Sequence, residues 1–111
     1  MSLIHIVLFQ FKADASPETT QKACADMLGL KERCIHPDSQ RPYIKSLTGG
    51  KDNSSEGLQK NGIQYAFVVE FATTEDRDYY VATDPTHQAF VKSIGPIVAK
   101  VIVVDYNVGQ F

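Results

Sequence analysis

The chain has 111 residues, of which 43% are hydrophobic and 22% are charged, and its net charge at pH 7 is −2. That length suits one domain with a modest core, so we treat residues 1–111 as a single domain. The basic residues are scattered, which argues against nucleic acid as a partner, and no apolar run reaches the roughly 18 residues that a membrane span requires.

The first predicted element is a strand from Leu3 to Lys12. Its residues are apolar on both pleat faces, which is typical of a sheet that is covered on both sides. No basic segment precedes this stretch, so we interpret it as a strand and not as a secretory signal. We therefore expect a cytoplasmic protein.

A long helix is predicted after the first strand. Ser16 is a suitable N-cap, and Pro17 and Glu18 suit the first helical turn. Residues that recur at helical spacing predict a buried stripe of Ala23, Met27, Leu30 and Cys34. Cys24 and Cys34 would then lie about 15 Å apart on one helix, which is too far for a disulfide within the chain.

The remainder of the chain predicts three strands and a divided helical region. A strand is expected around residues 42–47, and turn-forming residues over 49–57 predict a long loop. The next strand is predicted over residues 64–71. The helical region that follows it is interrupted by an Asp-Pro pair at residues 84–85, which begins a new helix. The last strand is predicted over residues 100–106.

The predicted order of elements is β-α-β-β-α-β, and it contains a weak internal repeat. Residues 5–11 align with residues 65–71, and an acidic helix start follows each segment. Two β-α-β halves of this kind form the ferredoxin-like α+β fold, in which a four-stranded antiparallel sheet carries both helices on one face. The other face would expose a large apolar patch, so the sequence predicts a homodimer formed through that sheet face.

His87 is the strongest candidate for a chemical role. With Asp84 as N-cap it falls in the first turn of a helix, on the same face as Phe90, which is a candidate substrate contact. The helix N-terminus and partial burial both disfavour a protonated imidazole, so a neutral His87 would suit a general base. The alternative is a structural histidine that completes the capping network and bonds a nearby carbonyl group.

Four further side chains are candidates for the lining of a site. His5 lies on an apolar strand face and Tyr80 precedes the new helix, so both are candidates for catalytic contact with a bound molecule. Tyr65 occupies the strand position equivalent to that of His5, and Lys45 lies in the second strand. The alternatives are a satisfied core histidine, core aromatic residues and a solvated lysine at a sheet edge. His36 is expected at the surface.

The sequence contains no recognised metal-binding pattern. It has no closely spaced pair of histidines, and its two cysteines stand ten residues apart. Gly49, Gly50 and Lys51 do not complete a phosphate-binding loop, and no flavin or nicotinamide motif occurs. We therefore expect neither a metal nor a cofactor.

Several segments together resemble the stress-response A/B barrel (Dabb) family. They are residues 5–12, residues 50–52, Phe71 and the Asp-Pro-Thr-His element at residues 84–87. The resemblance extends over essentially the whole chain and implies a dimeric α+β barrel. Many family members have no assigned activity, so the first hypothesis is a homodimer of unassigned activity that binds a small apolar or aromatic molecule.

The resemblance also implies a second hypothesis, a cofactor-free enzyme. In olivetolic acid cyclase, a member that closes a linear polyketide by aldol condensation, the catalytic histidine matches His87 and the strand-one histidine matches His5. A strand-two lysine approximately matches Lys45. Val81 stands where the cyclase has its catalytic tyrosine, and Tyr65 stands where it has a strand-three histidine.

In a cyclase or lyase of this kind, His87 would abstract a proton next to a carbonyl group, and His5 or Tyr80 would orient that carbonyl. A third hypothesis is a cofactor-independent monooxygenase, since small α+β barrels also host that chemistry. Analogy of fold alone supports the third hypothesis.

Overall fold

The computed structural model describes residues 2–57 and 62–111. Its elements are β1 (Leu3–Phe11), α1 (Pro17–Arg33), β2 (Ile44–Lys51), β3 (Tyr65–Phe71), α2 (Thr74–Ala82), α3 (Pro85–Ile94) and β4 (Val98–Asn107). The strands form one antiparallel sheet in the order β2-β3-β1-β4. The ferredoxin-like plan is confirmed, with the second helical region divided at the Asp-Pro pair.

Side chains of β1 alternate between a buried and a half-buried face of the sheet. The buried ones are Leu3, His5, Val7, Phe9 and Phe11. The helices pack on this face and contribute to the core Ala23, Met27, Leu30, Tyr80, Phe90 and Ile94. Among the described residues, no helix has the length and apolar character needed to cross a membrane.

The starts of α1 and α3 are capped by the residues that the sequence indicated. The Ser16 hydroxyl accepts a hydrogen bond from the backbone N–H of Thr19 at 3.1 Å. One carboxylate oxygen of Asp84 accepts from the N–H groups of Thr86 and His87 at 2.8 and 3.2 Å. These bonds satisfy donors that the first helical turn leaves unpaired. Asp84 thereby fixes the start of α3 and the position of His87.

β2 extends further than predicted, because glycines that were placed in a loop belong to the strand. It continues to Lys51, and Gly49 pairs with Phe67 of β3. A Cβ atom at position 49 would overlap the Phe67 ring, so the strand requires glycine there. The prediction of a loop from residue 49 was wrong for this reason. The loop begins at residue 52, and its residues 58–61 lie outside the described part of the chain.

The sheet face opposite the helices is apolar. Val68, Val104 and Tyr106 are 39%, 53% and 47% exposed. Ile6 of β1 pairs with both valines, and Ile4 pairs with the tyrosine, so these side chains form one patch across three strands. Among the described residues, the helices leave this face uncovered, as predicted.

Candidate functional site

A cavity of about 780 Å³ lies between the sheet and the helices. Its lining comes from β1, β4, α2 and α3, together with Met27 of α1. Val101 and Val103 of β4 line the cavity and are 45% and 50% exposed. The cavity therefore opens along the outer strand, and its volume lies within the range of small-molecule sites.

The cavity has a polar end and an apolar end. The charged and imidazole side chains of the lining are Arg77, Asp78, His5, His87 and Asp105. Most of the apolar wall is formed by Val7, Phe9, Met27, Phe90, Val91, Ile94, Val98, Val101 and Val103. β1 advances about 13 Å from His5 to Phe9, so a molecule with a polar head and an apolar body fits the length of the cavity.

His87 is held by the backbone of the preceding helix. Its Nδ1 lies 2.8 Å from the carbonyl oxygen of Tyr80, and its ring stacks on the Tyr80 ring with centroids 3.8 Å apart. A carbonyl oxygen only accepts hydrogen bonds, so Nδ1 carries the hydrogen and Nε2 carries the lone pair. Nε2 has no hydrogen-bond partner among the described residues. His87 thus makes the hydrogen bond to a carbonyl group that is expected of a structural histidine, and it also lines the cavity.

The electrostatic surroundings of His87 favour its neutral form. Burial lowers its pKa from the ordinary value of 6.5, and the nearby His5 acts in the same direction. The hydrogen bond to the Tyr80 carbonyl and the charge of Asp84 act against this shift without cancelling it. At pH 7 the imidazole is therefore neutral, and Nε2 is free to accept a proton.

Tyr80 contributes its ring, and not its hydroxyl, to the cavity. The residue is completely buried, and among the described residues its hydroxyl has no hydrogen-bond partner. Burial also raises the pKa of the phenol. The ring contacts His87 face to face and meets the His5 ring edge-on, with centroids 5.8 Å apart. The enclosed hydroxyl is out of reach of a molecule in the cavity.

His5 belongs to a chain of charged and polar side chains. Its Nδ1 lies 2.7 Å from Oδ1 of Asp105, and Oδ2 of the same carboxylate accepts from Arg77 at 2.7 Å. Arg77 also donates to Asp78 at 2.7 Å. Within residues 2–57 and 62–111, no group of three or more histidine, cysteine or acidic side chains could hold a metal ion.

The other predicted site residues are not all brought together. Phe90 is buried and lines the cavity. Tyr65 packs against Phe11, with ring centroids 5.5 Å apart, and does not line the cavity. Lys45 is exposed, lies 3.4 Å from Glu70 and is likewise outside the cavity lining.

Sequence reasoning missed the charged residues of the site and one half-buried contact. Asp105 directly follows the apolar run of residues 101–104, and this change to a charged residue was the only local signal for its role. Nothing in the sequence pairs it with Arg77. His36 was expected at the surface, but only 24% of its side chain is exposed and its ring contacts Tyr43 and Tyr79. Tyr43 directly precedes β2 and Tyr79 lies on α2, and the sequence alone does not predict that these two segments meet.

Residues 3–108 match the model of a family described as the Stress responsive A/B Barrel Domain, or Dabb. No curated protein matches the chain. Among solved structures, the Arabidopsis thaliana protein At3g17210 has a TM-score of 0.82 and 28% identity, over 98% of this chain and 97% of that one.

Two further structures share the fold at lower identity. Hydroxynitrile lyase from Passiflora edulis has a TM-score of 0.78 and 21% identity, over 99% of this chain and 96% of that one. A dimeric ferredoxin-like protein of unknown function from Thermobifida fusca has a TM-score of 0.71 and 21% identity, over 97% and 92%. Since the family match extends over nearly the whole length, the chain belongs to the stress responsive A/B barrel (Dabb) domain family.

Proposed function

We propose that the cavity binds a small molecule with an apolar or aromatic body, and that His87 acts on it as the general base of a cofactor-free lyase or cyclase. The observation that carries the proposal is the state of His87, whose imidazole is neutral and lies at the edge of an apolar cavity. Its Nδ1 donates to a carbonyl group, and its Nε2 has no hydrogen-bond partner among the described residues. The similar fold of a hydroxynitrile lyase makes carbon–carbon bond cleavage the first reaction to test.

In the cleavage direction, Nε2 of His87 accepts the proton of a substrate hydroxyl. The electrons of the O–H bond then form the carbonyl as the carbon–carbon bond breaks, and the leaving carbanion keeps the electrons of that bond. The protonated imidazole returns its proton to the leaving group, so the reaction needs no external oxidant or reductant. The reverse sequence joins a carbanion to a carbonyl, which is the step that a cyclase performs.

A direct test compares the wild type with His87→Ala and the matched control Gln88→Ala. Gln88 is the next residue of α3, is exposed and is absent from the cavity lining. With mandelonitrile, an aromatic cyanohydrin, as substrate, His87→Ala should lower the rate of benzaldehyde formation about 100-fold or more, since general bases contribute on that order. Calorimetry should show that benzaldehyde binds both variants nearly as tightly as the wild type.

Equal turnover in His87→Ala would contradict the role of His87. A wild type that binds aromatic probes but converts neither cyanohydrins nor poly-β-ketone analogues would instead indicate a binding protein, which is the first of the three sequence hypotheses. Nothing specific in the cavity favours the third hypothesis, a cofactor-independent monooxygenase.

We also propose that the protein is a homodimer formed through the open sheet face. The support is the apolar patch of β1, β3 and β4, together with the dimeric state named for the Thermobifida fusca protein of the same fold. Large contiguous apolar patches are uncommon on the surfaces of monomers. Sedimentation velocity should show a species of twice the 12.3 kDa chain mass. A 12 kDa species at micromolar concentration would contradict the proposal.

A further inference from the structure

The chain of contacts from Arg77 to His5 joins three elements at the polar end of the cavity. Arg77 is on α2, Asp105 on β4 and His5 on β1, and the two hydrogen bonds that link them are both 2.7 Å long. The Arg77 and Asp105 side chains are 23% and 22% exposed, and all three residues line the cavity. The reaction proposed above assigns no role to Arg77 or Asp105.

The carboxylate of Asp105 determines which nitrogen of His5 carries hydrogen. An ionised carboxylate only accepts hydrogen bonds, so the nitrogen that faces it, Nδ1, must be the donor. Arg77 occupies the other oxygen of Asp105 in a charge-assisted bond and so keeps the first oxygen directed at His5. His5 Nε2 has no partner among the described residues.

The two histidines of the cavity are therefore oriented by separate groups. His87 is held by the Tyr80 carbonyl, whereas His5 is held by Asp105, and the Tyr80 ring contacts both imidazoles. In each histidine, Nδ1 bonds a group of the protein, whereas Nε2 has no partner among the described residues. If the carboxylate of Asp105 bonded His87 instead, His5 would have no partner that determines which of its nitrogens carries the hydrogen.

We propose that Arg77 is a positioning residue: through Asp105 it fixes His5 in the tautomer with hydrogen on Nδ1, so that Nε2 of His5 is the second polar contact for the molecule bound at His87. The catalytic part of this inference rests on the proposed function, and it narrows the substrate class to molecules with two neighbouring polar groups at one end of an apolar body. A cyanohydrin and a β-hydroxycarbonyl compound both have this form.

The tautomer of His5 is measured directly by long-range ¹H–¹⁵N NMR of the uniformly labelled full chain at a pH where its imidazole is neutral. The wild type should show His5 with hydrogen on Nδ1. Arg77→Gln and Asp105→Asn should each shift it towards a mixture of both tautomers. Asp78→Asn is the matched control, because it removes the other ion pair of Arg77 and leaves the bond to Asp105 in place. It should leave the His5 spectrum unchanged.

Kinetics with mandelonitrile supply a second measurement. Loss of groups that orient a reacting histidine commonly costs tenfold or more in rate, so kcat of Arg77→Gln should fall about tenfold with a smaller change in KM. An unchanged His5 tautomer in folded Arg77→Gln or Asp105→Asn overturns the inference, whatever the activity. Because the NMR measurement requires no substrate, it separates a failure of this inference from a failure of the proposed reaction.

Discussion

Asp84 connects the start of α3 to the packing beneath the cavity. Its buried carboxylate accepts hydrogen bonds from two backbone N–H groups of α3 and from the Tyr43 hydroxyl. Burial and the nearby charge of Asp84 raise the pKa of the Cys34 thiol to about 12, so the thiol keeps its hydrogen. The first turn of α3, which contains His87, is therefore anchored by a single side chain with three hydrogen-bond donors.

Removal of this carboxylate should be costly. Asp84→Ala should lower the free energy of unfolding by about 2–4 kcal/mol, since it removes a cap worth about 1 kcal/mol and leaves buried donors unsatisfied. Ser16→Ala is the control, because Ser16 caps α1 with exposed hydrogen bonds and should cost only about 1 kcal/mol. Urea denaturation measures both. A loss for Asp84→Ala no larger than that for Ser16→Ala would contradict the buried network.

The lowered pKa of His87 also predicts how stability depends on pH. In the unfolded chain this histidine titrates near 6.5, so on acidification the unfolded state takes up its proton before the folded state does. The stability from His87 is therefore present above that pH and is lost as pH falls through the folded pKa. His87→Gln should lose less stability than the wild type between pH 7 and pH 5 in urea denaturation. Equal losses would contradict the shift, and Gln88→Ala should behave as the wild type does.

The sequence predicted the surroundings of His87 better than those of His5, for a physical reason. The cap at Asp84 and the face shared with Phe90 are local to one helix, so residue spacing alone defines them. The partner of His5 is Asp105, which lies 100 residues away and is brought close only by the pairing of β1 with β4. Side-chain contacts across strands depend on how the two strands are paired, which the residue spacing within either strand does not define.

At the scale of elements, β2 shows how a glycine pair in a strand resembles a turn. Gly49 is required because the Phe67 ring on the paired strand occupies the space of a Cβ atom. Gly50 has no atom within 4 Å of its Cβ position. The two glycines look equivalent in the sequence, and only the packing of the neighbouring strand separates them.

Alanine substitutions distinguish these two glycines. Gly49→Ala should destabilise the protein by about 1–3 kcal/mol, because the new methyl group must displace an aromatic ring that belongs to the core. Gly50→Ala should be neutral or slightly stabilising, since it meets open space and restricts the unfolded chain. Thermal or urea unfolding provides the comparison, and equal effects at the two positions would contradict the packing described for β2.

The order and type of the helices and strands could be predicted because each depends on signals within a short stretch of chain. The cap at Ser16 and the Asp-Pro pair at residues 84–85 mark helix starts, and the apolar runs mark strands. The cavity could not be predicted in the same way. Its lining combines five elements, and the exclusion of Tyr65 and Lys45 from it depends on which end or face of the sheet each occupies.

At the scale of the whole molecule, the two faces of the sheet differ in what covers them. A charge placed on the open face should prevent the proposed dimer, so Val104→Lys should sediment as a monomer under conditions in which the wild type is a dimer. Leu28→Lys is the control, because Leu28 is an exposed apolar residue of α1 on the helical side. A dimeric Val104→Lys protein would show that the copies meet through another surface.

The outer strand β4 contributes side chains both to the cavity and to the open sheet face. Val103 and Asp105 point to the cavity, whereas their neighbours Val104 and Tyr106 belong to the apolar patch. A slip of this strand by one residue would exchange the two sets of side chains. Contact with a second copy would therefore support, from the opposite face of the sheet, the same segment that presents Asp105 to His5. Formation of the proposed dimer would then also make the cavity wall beside a bound molecule more rigid.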